Sequence, residues 1–182
     1  MAATRAIRFS ARKFQELVLH IATRSQDDPR FGATKLNKIL YFADFAAYRR
    51  LGRPITGARY QRLEEGPAPR QLLPARERML DSQVIQLEQR DYFWGVQQRV
   101  VPLRDPELSV FSKQEIEIVD EVIEDLWPFN AQEVSRMSHN EPGWRLVRPG
   151  DDIPYKAAWL SSAPLTAEEE GLGHQVAERL GR

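Results

Sequence analysis

The run Lys35-Leu36-Asn37-Lys38-Ile39-Leu40-Tyr41-Phe42-Ala43, followed by Gly52-Arg53-Pro54-Ile55 and Gly66-Pro67-Ala68-Pro69, constrains this chain more than any other feature. Leu36, Ile39, Leu40, Ala43 and Ala47 recur at helical spacing and predict a helix from Thr34 as N-cap to Leu51. Gly52 stands where a left-handed C-terminal cap belongs. The small residues Ala43, Ala46 and Ala47 let another helix approach closely, so this helix is expected to serve the core, with Lys35 and Lys38 on its edge. Pro54 to Leu63 then reads as extended and Glu65 to Pro69 as a turn.

The remaining chain supplies the partners such a helix requires. Ser10 is an N-cap for a first helix to about Arg24, with Phe14, Leu17, Val18, Ile21 and Ala22 on one stripe. Asp27-Asp28-Pro29 ends it, because proline cannot continue a helix. A third helix is expected from Arg70 to Leu80, with Pro74 tolerated only near its first turn. Val84 to Leu87 and Val96 to Leu103 read as a short hairpin turning between Asp91 and Gly95. Ser112 with Glu115, and Asn130 with Glu133, are capping boxes that open helices reaching Trp127 and Met137. Ser138 to Ser162 is loop-like, and Thr166 with Glu169 caps a last helix weakened by Gly171 and Gly173. The expectation is one α+β domain over residues 1–182, predominantly helical, with about six helices packed around one core and a short β-hairpin.

Several function classes fall away. The 182 residues are enough for a real core, since chains near this size bury roughly 70% of their unfolded surface. The chain has no cysteine, which excludes disulfides and a thiolate zinc site. It has no signal-like apolar run and no apolar stretch long enough to cross a membrane, so a soluble cytoplasmic protein is expected. His20, His139 and His174 are scattered outside any metal-ligand spacing, and the glycines form no phosphate-binding loop, so no metal or cofactor is expected. Ser138-His139 lacks a nucleophile elbow, and adjacent residues do not reach triad geometry, so a hydrolase built on His139 is the weakest option and no catalytic residue is assigned. The neighbouring acids Glu64-Glu65 and Asp151-Asp152 read as solvated or salt-bridged.

The formal net charge of zero hides a division: residues 1–62 carry 13 Lys/Arg against 4 Asp/Glu, and residues 63–182 carry 13 against 22. A basic surface for nucleic acid is one reading; mutual neutralisation of the two halves on folding is the other, favoured because the basic residues are spread over several elements. Tyr92, Phe93 and Trp94 crowd the hairpin tip, where three large aromatics do not all face a core, which points to a protein-binding anchor.

The same runs, taken in order, resemble a known family. Lys35 to Ala43, Gly52 to Ile55, Gly66-Pro67, Ser138-His139 with Pro142 and Trp144, and Ile153-Pro154-Tyr155 with Ala157-Ala158 are similar to the Panacea domain, the SocA-like antitoxins with a link to phage genes. The resemblance covers roughly residues 17–162. It departs at Leu63-Glu64-Glu65, where the family often has an aromatic, and in the unusually aromatic hairpin. The resemblance implies a non-enzymatic antitoxin that binds a cognate toxin directly. Other roles carried with it are an adaptor delivering the toxin to an AAA+ protease, a regulator binding its own promoter DNA, and a homo-oligomer. Its motif placement suggests that Tyr60, Arg62, Gly66 and Pro67 shape a common surface while the hairpin with Tyr92, Phe93 and Trp94 carries toxin specificity; His139 and Trp144 are further candidate partner-binding residues.

Overall fold

The helix built on the Lys35–Ala43 run is the axis of the protein. In the computed structural model, which describes residues 6–92 and 95–160 and only the backbone of Tyr92, it spans Ala33–Leu51 (α2). The predicted stripe is buried, and so are Tyr41, Phe45 and Tyr48. Apolar residues around most of its circumference make α2 a fully enclosed helix. Its N-cap is Gly32 and not Thr34, without a side-chain hydrogen bond, and Gly52 ends it at φ 71° as expected.

Around α2 pack α1 (Ala11–Arg24), α4 (Lys113–Leu126) and α5 (Ala131–His139). Each starts where its capping residue predicts: Ser10 accepts from the Lys13 N–H, and Ser112 and Asn130 form complete capping boxes with Glu115 and Glu133. Such a cap is worth about 1 kcal/mol. Helix α5 runs two residues past the expected Met137, to His139. Helix α3 (Leu72–Asp81) holds Pro74 in its first turn, where the missing N–H breaks no intrahelical bond.

Two small antiparallel sheets complete the fold. The first has the order β2-β1-β5, from Gly66–Pro69 (β2), Tyr60–Leu63 (β1) and Asp152–Ile153 (β5). The expected turn at Glu65 to Pro69 is therefore an edge strand, and the reversal is made by Glu64 and Glu65. An edge strand is the one place in a sheet that tolerates Pro67 and Pro69. The second sheet is the hairpin of β3 (Ile85–Tyr92) and β4 (Gly95–Pro102), paired in register from Ile85↔Pro102 to Tyr92↔Gly95. Strand β3 extends well past the expected Leu87. Apolar alternation marks only the base that touches the core, where Ile85 and Val100 are buried, while Glu88 to Asp91 project toward solvent. Arg99 anchors that base by donating to the carbonyls of Ser25, Gln26 and Asp28 beyond α1.

The loop expected from Ser138 to Ser162 contains three short elements: α6 (Pro142–Leu146), β5 and a 3₁₀ turn (Tyr155–Trp159). Each is too short to leave a periodic signature, and tertiary pairing with Tyr60 and Gln61 creates β5. The helix expected from Thr166, with His174, lies outside the described residues. What is described is α+β and predominantly helical, as the sequence predicts.

The charge division closes on itself. Arg12 pairs with Glu107, Lys13 with Glu115, Arg24 and His20 with Asp120, Arg50 with Glu121, and Arg59 with Asp152. Basic groups of the first third thus meet acids of the later chain. Most of these pairs are exposed and worth about 0–1 kcal/mol each. Their consequence is less a gain in stability than partial neutralisation of the basic first third by the later acids.

Candidate functional site

Lys35 and Lys38 do not lie on the helix edge; each is only 1% exposed. A buried ammonium is costly unless its donors are met, and the two lysines meet theirs differently. Lys35 Nζ donates to Asp28 Oδ2 at 2.6 Å and to the carbonyls of Phe129 at 2.9 Å and Trp127 at 3.1 Å. It thereby ties the loop after α1 to the C-terminal end of α4, where unpaired carbonyls favour a cation. Burial lowers its pKa while Asp28 opposes the shift.

Lys38 has a thinner shell. Its Nζ donates only to the Pro67 carbonyl, at 3.3 Å, among the described residues. Burial pulls its pKa down to about 8, with Glu65 the only opposing charge. Strand β2 lies directly on it. Gly66, at φ 99°, sits so close that an added Cβ would fall 2.4 Å from Ser138 Oγ and 2.9 Å from Lys38 Nζ. Both the backbone conformation and the space therefore require glycine. Ser135 Oγ donates to the Glu65 carbonyl at 3.0 Å, and Ser138 Oγ to the Ser135 carbonyl at 2.7 Å. Lys38, Gly66, Pro67 and Ser138, far apart in sequence, form one knot pressing the β1–β2 turn onto α2 and α5.

A second buried network lies six residues, between one and two turns, further along α2 at Asp44. Asp44 is fully buried and accepts from the Thr56 N–H and hydroxyl, from Tyr60 at 2.8 Å and from Tyr155 at 3.2 Å. Burial raises its pKa against these four donors. Burial likewise raises Tyr60 and Tyr155, and the Asp44 charge adds to it. This network locks the Thr56–Tyr60 segment and the 3₁₀ turn against α2.

Over this interior lies a surface feature of a different kind. Arg62 leaves β1 and sets its guanidinium 4.1 Å over the Trp144 ring, and the His139 ring stacks on Trp144 at 4.2 Å and 23°. Trp144 Nε1 donates to the Leu63 carbonyl at 3.0 Å, and Arg62 also donates to the Val147 carbonyl. A cation–π pair of this kind contributes about 0.5–1 kcal/mol where exposed. Here it also fixes three side chains in one orientation. Leu63, Met137 and Leu146, close in sequence to the stack, are exposed apolar side chains, Leu146 at 72%.

Of the predicted site residues, Arg62, His139 and Trp144 come together in this stack, and Gly66 and Pro67 lie beneath it in the knot. Tyr60 is in the core and faces Asp44, so it supports the surface from within. Tyr92 ends β3, and its side chain, with Phe93 and Trp94, lies outside the described residues. His139 Nε2 is buried without a partner among the described residues, and Ser138 is bonded to Ser135, so no hydrogen bond joins serine to histidine. Sequence reasoning missed the roles of Lys38, Asp44 and Tyr155. The available signal was a pair of lysines three residues apart inside an apolar run, a pattern that buries both when the helix is enclosed. Among the described residues no cluster of His, Asp and Glu could hold a metal ion, and no helix is long and apolar enough to cross a membrane.

A family model described as antitoxin SocA-like, Panacea domain, matches residues 36–145. That span runs from α2 through the hairpin and α5 to the Trp144 stack. No curated protein matches, and no solved structure matches.

Proposed function

The chain belongs to the SocA-like antitoxin family of Panacea domains, and on that premise we propose that it neutralises its cognate toxin by direct protein contact at the face carrying Arg62, Trp144 and His139. One observation carries the reading: Arg62, Trp144 and His139 form an orientationally fixed cation–aromatic stack at the surface, and the elements that carry it also expose Leu63, Met137 and Leu146. Preordered Trp and Arg side chains bordered by apolar surface are the composition of interface hot spots, because little entropy remains to be lost on binding. Ion pairing of first-third basic residues with later acids, as in Arg59–Asp152 on the same sheet, supports a protein partner over nucleic acid.

The test is growth rescue on co-expression with the toxin encoded beside the gene, together with co-purification of the two proteins. Leu146→Glu alters a solvent-facing side chain, so folding is retained while binding weakens by about tenfold or more and rescue fails. Trp144→Ala should do the same with a loss of about 1–2 kcal/mol in stability. Full rescue by a folded Leu146→Glu protein would remove this face from the contact.

A further inference from the structure

The hairpin meets the helices at a second surface that the stack does not use. Among the described residues, strand β4 has no strand neighbour on its outer side. Leu103 N–H donates to the Val84 carbonyl, which sets the phase of the antiparallel ladder. Bonded pairs then recur at Gln86↔Val101, Glu88↔Arg99 and Arg90↔Gln97, so the N–H and C=O of Val96 and Gln98 turn outward. Among the described residues, nothing bonds to these backbone groups.

Edge strands are normally protected, and the edges formed by β2 and β3 are. Pro67 and Pro69 remove donors from β2, which α2 also covers. Glu88, Arg90 and Asp91 place charge along β3. From Gly95 to Gln98, β4 has neither charge nor proline, and Val96 is 65% exposed.

Beside this edge is a groove of about 530 Å³ between β4 and the first turns of α2 and α5. At its floor Gly32 lies tight against the Gln97 side chain: an added Cβ would fall 2.6 Å from Gln97 Cγ. Two helix N-termini open into it, and α2 has no side-chain cap. The one charged lining residue is Arg30, 3.9 Å from Asp28 and 38% exposed, so a guanidinium stands beside an otherwise uncharged wall and the uncapped start of α2. Helix α5 connects the groove at Asn130 with the stack at His139 over its 9 residues, about 14 Å at 1.5 Å per residue.

We propose that this groove receives an extended segment of the toxin, apolar with a carboxylate, which adds as a third strand to the free edge of β4 and sets its carboxylate against Arg30 and the uncapped start of α2. The proposal rests on the antitoxin reading and deepens it. The body of the partner covers the stack, and its strand gives main-chain recognition at the other end of α5. Arg30 and the uncapped N–H groups of α2 select a segment with a carboxylate over a basic one.

Titration of the purified full chain with the purified toxin tests this through three variants. Val96→Pro deletes an outward N–H but no bond to β3, and is expected to weaken binding about tenfold or more. Val96→Thr keeps the N–H and should stay within about twofold of the unchanged chain. Thr34→Glu puts a carboxylate at a helix start, where it favours folding, yet it repels the segment and weakens binding about fivefold or more. Should Val96→Pro fail to fold, hydrogen exchange on the unchanged chain decides: the amides of Val96 and Gln98 gain protection when toxin is added. Unchanged binding by Val96→Pro, or no added protection, overturns the groove while leaving the antitoxin reading in place. Displacement of toxin by duplex DNA also overturns it, in favour of a phosphate-binding groove. A toxin that does not bind the unchanged chain at all overturns the antitoxin reading and this proposal together.

Discussion

The knot beneath the β1–β2 turn and the hairpin arm are both β-hairpins laid against α2, yet they are held in opposite ways. Under the first, Lys38, Ser135, Ser138, Asp44 and Tyr60 place polar groups in a dry interior where each needs a partner. The second is fixed at its base by Arg99, Ile85 and Val100, and its outer half projects into solvent. Buried polar groups have few acceptable arrangements, because an unmet donor or acceptor costs about 1–3 kcal/mol. An exposed strand has water as an alternative partner everywhere. The first region is therefore intolerant of change, and the second is free to diversify for recognition.

The comparison breaks most readily at Lys35, the best-satisfied member of the buried set. Lys35→Met leaves Asp28 Oδ2 and two carbonyls without their donor, while Asp28 Oδ1 keeps the Arg30 N–H, and is expected to lower stability by about 3 kcal/mol in urea unfolding. A loss below about 1 kcal/mol would mean that the interior around α2 is wetter than its burial implies.

Next comes Lys38, whose effect depends on pH. Its pKa is about 8 in the folded protein against an ordinary 10.5, so between these values the unfolded chain binds more protons. Stability conferred by neutral Lys38 is then full above pH 10.5 and lost as pH falls through 8. The difference between the protein and Lys38→Met should shift by about 3 kcal/mol across that window. Referencing to the variant matters because the raised pKa values of Tyr41, Tyr60 and Tyr155 act oppositely above about pH 10. Parallel stability curves for the two proteins would show that Lys38 keeps its charge.

Glycine offers the same substitution in both regions. Gly66→Ala meets Ser138 and Lys38 at φ 99°, and should cost about 1–3 kcal/mol from the backbone with more from the clash. Gly95→Ala on the arm finds nothing within 4 Å and has an ordinary φ, so about 0.5 kcal/mol or less is expected. Equal melting temperatures would erase the contrast. The smallest effect is that of Val96→Thr, at the exposed edge, within about 0.5 kcal/mol of the unchanged chain.

Which of these features could be read from the sequence follows from their range. Caps at Ser10, Ser112 and Asn130 depend on three or four neighbours, and all three begin helices where expected. Gly52 stops α2 for the same local reason. The Gly66–Pro69 strand was not legible, because two prolines argue for a turn unless the segment is known to be an edge. Strand β5 and helix α6 were not legible because two and five residues carry no period. The candidate site was legible in part: Arg62, His139 and Trp144 were chosen from separate motifs, but nothing local indicated that they stack.

The sequence by itself determined the five longer helices, the caps at Ser10, Ser112, Asn130 and Gly52, the central place of the Lys35–Ala43 run and the family, since each rests on short-range spacing or ordered motifs. Tertiary structure alone decided that Lys35 and Lys38 lie inside, that Gly66 is held against Ser138, and that β4 keeps an open edge. Those outcomes depend on which surfaces are removed from water together. Burial is a property of the packed assembly, and the local pattern states only which residues can bear it.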